Sequence, residues 1–105
     1  MSEVIVIATF TARPGAAAEV EAALAAALAP THAEEGCLLY ALHAGISDPD
    51  TFAFVERWSS DAALAAHARQ PWVTGLSAIG RLLATPPRVE TFRALGGGDP
   101  TMGLL

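Results

Sequence analysis

The chain has 105 residues, a length that fits one domain and leaves no room for two. An apolar fraction of 52% excludes a disordered chain. A net charge of −5, with six arginines and no lysine, excludes a basic nucleic-acid-binding surface and a polybasic membrane patch, and no apolar run approaches the roughly 20 residues needed to span a bilayer.

The first two predicted elements are a strand and a helix. Residues 4–13 are rich in β-branched side chains and end at Pro14-Gly15, which predicts a strand followed by a break. Apolar residues then recur at a spacing of four, which predicts an amphipathic helix beginning near residue 16: Val20, Leu24 and Leu28. Pro30 is expected to end or kink this helix.

A β-hairpin is predicted next. Residues 38–44 and 51–58 form its strands, and the turn-forming residues 45–50 join them. Since side chains alternate along a strand, four residues of the second strand share one face: Phe52, Phe54, Glu56 and Trp58. The same rule places Tyr40 and His43 on opposite faces of the first strand unless a bulge intervenes.

The last part of the chain predicts a second helical segment and a fourth strand. Ser59-Ser60-Asp61 supplies a cap and an acidic first turn for a helix on which Leu64 and His67 face inward. A further helical stretch follows Pro71, and its apolar residues are Trp72, Leu76, Ile79 and Leu83. Residues 88–95 predict a strand, and glycines 96–98 open a tail.

The order β-α-β-β-α-β predicts an α+β, ferredoxin-like domain over residues 1–95, followed by a flexible C-terminal tail over residues 96–105. Both helical segments are expected on one face of an antiparallel sheet. The other face of the first strand is also largely apolar, at Ile5 and Ile7, and no element remains to cover it. We therefore expect a homodimer in which two sheet faces pack together.

Several motifs resemble those of one family. The segment Phe54-Val-Glu56-Arg-Trp58-Ser-Ser-Asp-Ala-Ala-Leu64-Ala-Ala-His67 resembles the E-x-W…L-x-x-H stretch of antibiotic biosynthesis monooxygenase domains. Pro14-Gly15, Glu35-Gly36-Cys37 and Asp48-Pro49-Asp50 also fit, so the resemblance covers residues 4 to 95. It implies a ferredoxin-like fold that dimerises into an α+β barrel.

The branches of this family differ in chemistry, and include cofactor-free quinol or anthrone monooxygenases, haem-degrading enzymes and an isomerase. The haem-degrading branch is disfavoured, because its Asn, Trp and ligating His correspond to Ala8, His67 and approximately Ser77. His43 and Trp58 match pocket positions of the anthrone-oxidising branch. Other polar pocket positions of that branch are replaced, which implies a smaller or less polar ligand: Phe54, Leu64 and Ala78.

From the resemblance we predict a cofactor-independent monooxygenase that oxidises a small aromatic, hydroquinone-like substrate with O2. The candidate catalytic residues are His43, His67 and Glu56, because a buried imidazole or carboxyl is suited to moving a phenolic proton. The candidate substrate-binding residues are aromatic: Trp58, Phe54, Phe10, Tyr40 and Trp72. No metal site is predicted, because the three histidines lie far apart and no C-x-x-C motif occurs.

Alternatives remain open for the residues and for the function. Trp58 could be a core aromatic, and His43 a solvated or locally bonded imidazole. His67 could be a core histidine bonded to a carbonyl or to Glu56, and Glu56 could be one partner of a structural pair. The protein could instead be an isomerase of a small oxygenated metabolite, or a non-catalytic ligand-binding dimer. An open pocket bordered by His67 and Glu56 favours an enzyme, and a fully packed interface between the helices and the sheet favours the binding protein.

The cysteine content and the first residues bear on location. Cys37 is the lone cysteine, which rules out an intrachain disulfide and fits a reducing compartment. Residues 1–4 lack the positive segment that opens a signal peptide. We therefore expect a cytoplasmic protein.

Overall fold

The computed structural model describes residues 2–105. Met1 lies outside the described residues; it is the first residue of the predicted domain and of the N-terminal segment. The strands are β1 (Val4–Thr11), β2 (Cys37–Ala44), β3 (Thr51–Trp58) and β4 (Arg88–Phe92). The α-helices are α1 (Ala17–Ala25), α2 (Leu28–His32), α3 (Asp61–Ala68) and α4 (Pro71–Thr74), and a 3₁₀ helix (Gly75–Leu82) follows α4 directly.

The four strands form one antiparallel sheet in the order β2-β3-β1-β4. Together with the helical segments after β1 and β3, this order confirms the predicted α+β ferredoxin-like fold. The two central strands, β3 and β1, carry the residues on which the core is built.

The inner face of the sheet, which packs against the helices, carries the core. Burial alternates strictly along β3, so that Phe52, Phe54, Glu56 and Trp58 are buried while their neighbours are half-buried. On α1, Val20 and Leu24 are fully buried and pack in the same cluster. Burying a leucine side chain such as Leu24 contributes roughly 1.5–3 kcal/mol to the stability of the fold.

A bulge at the start of β2 sets the faces of that strand. The register shifts between Cys37 and Leu39, before Tyr40 is reached. From there Tyr40 pairs with Glu56 and His43 pairs with Ala53, so Tyr40 lies on the inner face and His43 on the outer face. The predicted separation of Tyr40 and His43 is confirmed.

The first helical segment is broken earlier than predicted. The single helix expected up to Pro30 is two helices, with the break at Ala26 and Ala27, and Pro30 lies inside α2. The proline ring collides with the carbonyl four residues before it, which belongs to Ala26, and Pro30 has no N–H to bond to that carbonyl. The break therefore falls one turn before the proline.

The end of α2 contacts the edge of the sheet. His32, the last residue of α2, lies with Nε2 2.8 Å from the backbone carbonyl of Tyr40. A carbonyl only accepts, so Nε2 of His32 donates this hydrogen bond. One outward-facing carbonyl of the edge strand β2 is thus bonded within the chain.

The second helical segment and the last strand are shorter or tighter than predicted. After one α-helical turn the chain winds as a 3₁₀ helix that includes Gly75 and Gly80. Each glycine costs an α-helix roughly 0.5–1 kcal/mol relative to alanine. Strand β4 ends at Phe92 and not at residue 95, because Phe92 pairs with Ile5, one residue from the start of β1.

The tail after β4 turns back toward the sheet. Oδ1 of Asp99 accepts hydrogen bonds from the backbone N–H groups of Thr101 and Met102, and Nη1 of Arg57 donates to the carbonyl of Leu105 at 3.2 Å. The predicted flexibility of residues 96–105 stays a prediction.

The outer face of the sheet is apolar in its centre. Ile7 is 36% exposed, and Ile5, Ala53 and Val55 are half-buried on the same face. The apolar second face expected from the sequence is therefore present. Separately, no helix described among residues 2–105 combines the length and the hydropathy needed to cross a bilayer.

Candidate functional site

A cavity of about 180 Å³ lies between the inner face of the sheet and the second helical segment. Side chains of β1, β2 and β3 form its floor: Val6, Ala8, Phe10, Tyr40, Phe54 and Glu56. Side chains of α3, α4 and the 3₁₀ helix form its roof: Leu64, His67, Ala68, Val73 and Leu76. Val89 of β4 also borders the cavity and is 63% exposed, so the opening lies beside β4.

The size and lining of the cavity limit what it can hold. A dry apolar cavity of about 150 Å³ is known to accept benzene. The volume here therefore fits one aromatic ring with small substituents. Three ionisable side chains belong to the lining: Tyr40, Glu56 and His67.

His67 is held over the sheet by the start of α3. The side-chain oxygen of Ser60 accepts a hydrogen bond from the backbone N–H of Ala63 at 3.1 Å, which confirms the predicted cap. His67 follows two turns later and is 5% exposed. Its ring lies with its centroid 4.5 Å from that of Trp58 and 5.3 Å from that of Tyr40.

His67 is bonded to Glu34 and not to Glu56. Nδ1 of His67 lies 2.8 Å from Oε2 of Glu34, and each of the two side chains is 7% exposed. Nε1 of Trp72 donates to the same oxygen at 2.9 Å. One oxygen of the Glu34 carboxyl thus lies within hydrogen-bond distance of both the imidazole and the indole.

Gly36 explains how the loop that carries Glu34 approaches α3. Gly36 has a φ of +86°, and a Cβ at this position would lie 2.5 Å from Cβ of Ala63 and 2.7 Å from Oγ of Ser59. The backbone N–H of Ser59 also donates to the Gly36 carbonyl at 2.8 Å. Only a residue without a side chain allows this approach, which brings Glu34 to His67.

Glu56 is a buried carboxyl with one strong partner. It is 4% exposed, and Nε1 of Trp58 donates to its Oε1 at 2.8 Å. Burial raises the pKa of Glu56 above its ordinary value, while the Trp58 hydrogen bond and the nearby His67 act in the opposite direction. The charge of Glu34 adds to the increase.

The aromatic part of the floor is closely packed. The rings of Tyr40 and Phe54 stack with centroids 4.4 Å apart, and Phe10 meets Phe54 edge-on at 6.0 Å. Burial raises the pKa of the Tyr40 phenol, and the charge of Glu56 raises it further. Tyr40 therefore presents a neutral hydroxyl to its surroundings at physiological pH.

The structure brings five of the eight predicted site residues to one cavity: Phe10, Tyr40, Phe54, Glu56 and His67. Trp58 lies beneath the cavity and is fully buried, where it contacts the His67 ring and the Glu56 carboxyl. Trp72 is half-buried and is turned toward Glu34. Neither tryptophan is part of the cavity lining found in residues 2–105.

His43 is not brought to this cavity. It is exposed, it lies on the outer face of β2, and it borders a separate surface groove beside α1, with Glu21, Ala25 and Phe52. Alternation along the strand causes this, because Tyr40 faces inward and His43 is three residues further on. The predicted role of His43 as a proton acceptor beside His67 does not fit this placement.

Glu34 is the residue that sequence reasoning missed. The signal that could have found it is the pair Gly36 and Ala63, a glycine in a turn and a small residue on the facing helix, which permits a close approach. As for metals, no three His, Cys, Asp or Glu side chains converge to hold an ion in the described part of the chain.

Comparison with known proteins places this geometry in a family. The model of the family described as antibiotic biosynthesis monooxygenase matches residues 3–74. The chain is 37% identical over 95 residues to "Putative monooxygenase Rv0793" of Mycobacterium tuberculosis. The matched region covers 90% of this chain and 93% of that protein.

Solved structures agree. The structure of Rv0793 from Mycobacterium tuberculosis superposes with a TM-score of 0.86 at 34% identity, covering 93% of this chain and 100% of the other. The crystal structure of PA3566 from Pseudomonas aeruginosa gives a TM-score of 0.84 at 35% identity, covering 90% and 96% of the two chains. The chain therefore belongs to the antibiotic biosynthesis monooxygenase family.

Proposed function

We propose that the protein is a cofactor-independent monooxygenase that oxidises a single-ring, hydroquinone-like substrate with O2 in the cavity between sheet and helices. The observation that carries this proposal is that a buried imidazole, His67, and a buried carboxyl, Glu56, border one small cavity whose other walls are aromatic or aliphatic. An open pocket bordered by these two residues also favours an enzyme over a passive binding protein.

The reaction needs one proton acceptor and a dry site. His67 takes the proton of a phenolic hydroxyl, so the O–H bond breaks and an N–H bond forms. The resulting phenolate passes one electron to O2, and the two radicals combine to form a C–O bond. The resulting peroxide takes the proton back from His67. Cleavage of its O–O bond and of the ring C–H bond then releases water and leaves a hydroxylated quinone, so one oxygen atom enters the ring and the other leaves as water. The substrate supplies all the electrons.

The walls of the cavity support a small and apolar ring. Phe10 and Phe54 offer aromatic faces, and the Tyr40 ring stacks on Phe54 in the same floor. A cavity of about 180 Å³ holds one ring, whereas the three fused rings of an anthrone exceed it. The proposed substrate is therefore a benzene-1,4-diol or a close relative.

The proposed partner is a second copy of the chain. The apolar outer face around Ile7 and Val55 has no helix over it among the described residues, and the C-terminal tail meets that face at Arg57. A sheet that faces water on one side carries polar residues there. A homodimer in which these faces pack together removes the exposed apolar area from water. We also place the protein in the cytoplasm, where the thiol of Cys37 stays reduced.

One observation favours an isomerase as the second candidate. Burial raises the pKa of Glu56, which favours its neutral form, and His67 borders the same cavity. A neutral carboxyl and an imidazole that face one ligand form an acid–base pair able to move a proton between two carbons of an oxygenated metabolite.

Oxygen uptake tests the first candidate. Wild-type protein, free of metal and flavin, is supplied with benzene-1,4-diols and with anthrones, and oxygen consumption is compared with the buffer rate. We expect uptake with the single-ring substrates and a loss of at least about tenfold in His67→Gln. His43→Ala is expected to behave like wild type, because His43 lies on the other face of the sheet.

Two outcomes overturn the proposal. If no substrate gives uptake above the buffer rate, oxygenation of this class is wrong, and the isomerase becomes the first candidate. If His43→Ala abolishes uptake and His67→Gln does not, the chemistry lies outside the cavity.

A further inference from the structure

We propose that Glu34 is a positioning residue that fixes the tautomer and the orientation of His67, and that Trp72 in turn fixes Glu34. This inference deepens the proposed function and rests on it for its catalytic meaning. Its structural part, the state of the His67 ring, is measured without any substrate.

The hydrogen bonds determine which nitrogen of His67 carries the proton. An indole N–H only donates, so Oε2 of Glu34 accepts from Trp72 at 2.9 Å. The same oxygen lies 2.8 Å from Nδ1 of His67. An ionised carboxylate oxygen accepts two donors at once, and Nδ1 is then the protonated nitrogen.

This assignment leaves Nε2 as the reactive atom. A neutral imidazole with its proton on Nδ1 has its lone pair on Nε2. No hydrogen bond joins Nε2 of His67 to another group among residues 2–105, while the ring borders the cavity. The two nitrogens flank Cε1 and their outward directions diverge widely, so holding Nδ1 at Glu34 directs Nε2 away from Glu34 and makes it available to a substrate hydroxyl.

The charge of Glu34 has a second effect during the reaction. When Nε2 takes a proton from the substrate, the ring becomes an imidazolium, and a carboxylate at Nδ1 stabilises the positive charge. Glu34 is not part of the cavity lining in the described residues, so it acts through His67 and does not touch the ligand.

Trp72 connects this pair to the roof of the cavity. It lies in α4, next to Val73, which borders the cavity. Its indole N–H and Nδ1 of His67 both lie within hydrogen-bond distance of Oε2 of Glu34. The bond from Trp72 requires that α4 pack against the loop that carries Glu34. The orientation of the base and the position of the roof are thus held by one oxygen atom.

The test is nuclear magnetic resonance of protein labelled with ¹⁵N in its histidines, at an alkaline pH at which an ordinary imidazole is neutral. The His67→Gln variant assigns the two nitrogen signals of His67. In wild type we expect Nδ1 to be protonated and Nε2 to be unprotonated. In Glu34→Gln, whose amide can also donate to Nδ1, we expect the protonated form of Nε2 to appear. Glu35→Gln, the same change at the exposed neighbour, is the matched control and leaves the signals unchanged.

The possible results separate this inference from the proposed function. A wild-type spectrum with the proton on Nε2 overturns the tautomer assignment, and a Glu34→Gln spectrum identical to wild type overturns the role of Glu34. Because the wild-type spectrum is informative alone, the test holds even if Glu34→Gln fails to fold. Absence of oxygen uptake by wild type counts against the proposed function only and leaves the tautomer result unaffected.

Kinetics complete the test once a substrate is found. Glu34→Gln is expected to lower kcat by about tenfold or more while KM changes little, because Glu34 does not line the cavity. Trp72→Phe keeps the carboxylate and is expected to lower kcat by less. An increase in KM with unchanged kcat in Glu34→Gln contradicts a positioning role.

Discussion

Glu34 and His67 are 33 positions apart in the chain, yet Oε2 of one lies 2.8 Å from Nδ1 of the other. The sheet brings them together. Cys37 at the start of β2 pairs with Trp58 at the end of β3, so the loop before β2 and the helix after β3 meet at the same end of the sheet. Because Gly36 has no side chain, the loop that carries Glu34 then approaches α3 closely.

Gly36→Ala is expected to destabilise the fold more than Gly15→Ala. Both glycines have a positive φ, +86° and +85°, so both variants carry the backbone cost of about 1 kcal/mol or more. A Cβ at Gly36 lies 2.5 Å from Cβ of Ala63, whereas a Cβ at Gly15 meets no heavy atom within 4 Å. Urea unfolding measures the difference, and equal losses in the two variants contradict the close approach of loop and helix.

Glu56→Gln is expected to make stability less dependent on pH. The pKa of Glu56 in the folded state is raised above its ordinary value of 4.5, so between the two values the folded protein binds more protons than the unfolded chain. Stability therefore falls as the pH rises from 4.5 through the raised pKa, because a buried carboxyl becomes charged. A glutamine still accepts from Trp58 and carries no charge.

The measurement is thermal unfolding of both proteins at mildly acidic and at neutral pH. The Tm of Glu56→Gln relative to wild type is expected to be higher at neutral pH than at acidic pH. Glu21→Gln, at an exposed position of α1, is the control for loss of one surface charge. A relative Tm that moves in the opposite direction with pH indicates that Glu56 is stabilised in its charged form.

Ile7→Glu is expected to convert the proposed homodimer into a monomer. Ile7 lies in the centre of the outer sheet face, and a glutamate there places two unpaired charges in a face-to-face interface. Sedimentation at micromolar concentration is expected to give a dimer for wild type and a monomer for the variant. Ala18→Glu adds the same charge at an exposed position of α1 and is expected to stay dimeric. A monomeric wild type rules out the proposed interface.

The elements that the sequence predicted well are those with a clear period. Strand β3 was predicted over residues 51–58 and is found at Thr51–Trp58. Its side chains alternate between a buried and a half-buried face along its whole length. The cap at Ser60 was predicted from a local rule and is present. The placement of Phe54, Glu56 and His67 at one site followed from these two elements.

The parts that were missed depend on contacts between distant segments or on competing local costs. The break at Ala26 is set by a proline four residues later, and the 3₁₀ helix after α4 contains two glycines that weaken an α-helix. The position of Glu34 depends on a close contact between a loop and α3, which has no periodic signature. His43 was assigned to the site from the resemblance alone, and strand alternation places it on the other face.

The bond from His32 to the Tyr40 carbonyl also limits how copies of the chain can assemble. Strand β2 is an outer strand, and an outer strand with free backbone groups is a template for pairing with another chain. Here the bulge at Leu38 disturbs the regular spacing of those groups, and His32 occupies one of the carbonyls. The opposite outer strand, β4, has five residues and offers a short ladder. The pairing of strands from other copies is therefore disfavoured at both edges of the sheet. This protects a chain with such a high apolar content from fibrous aggregation.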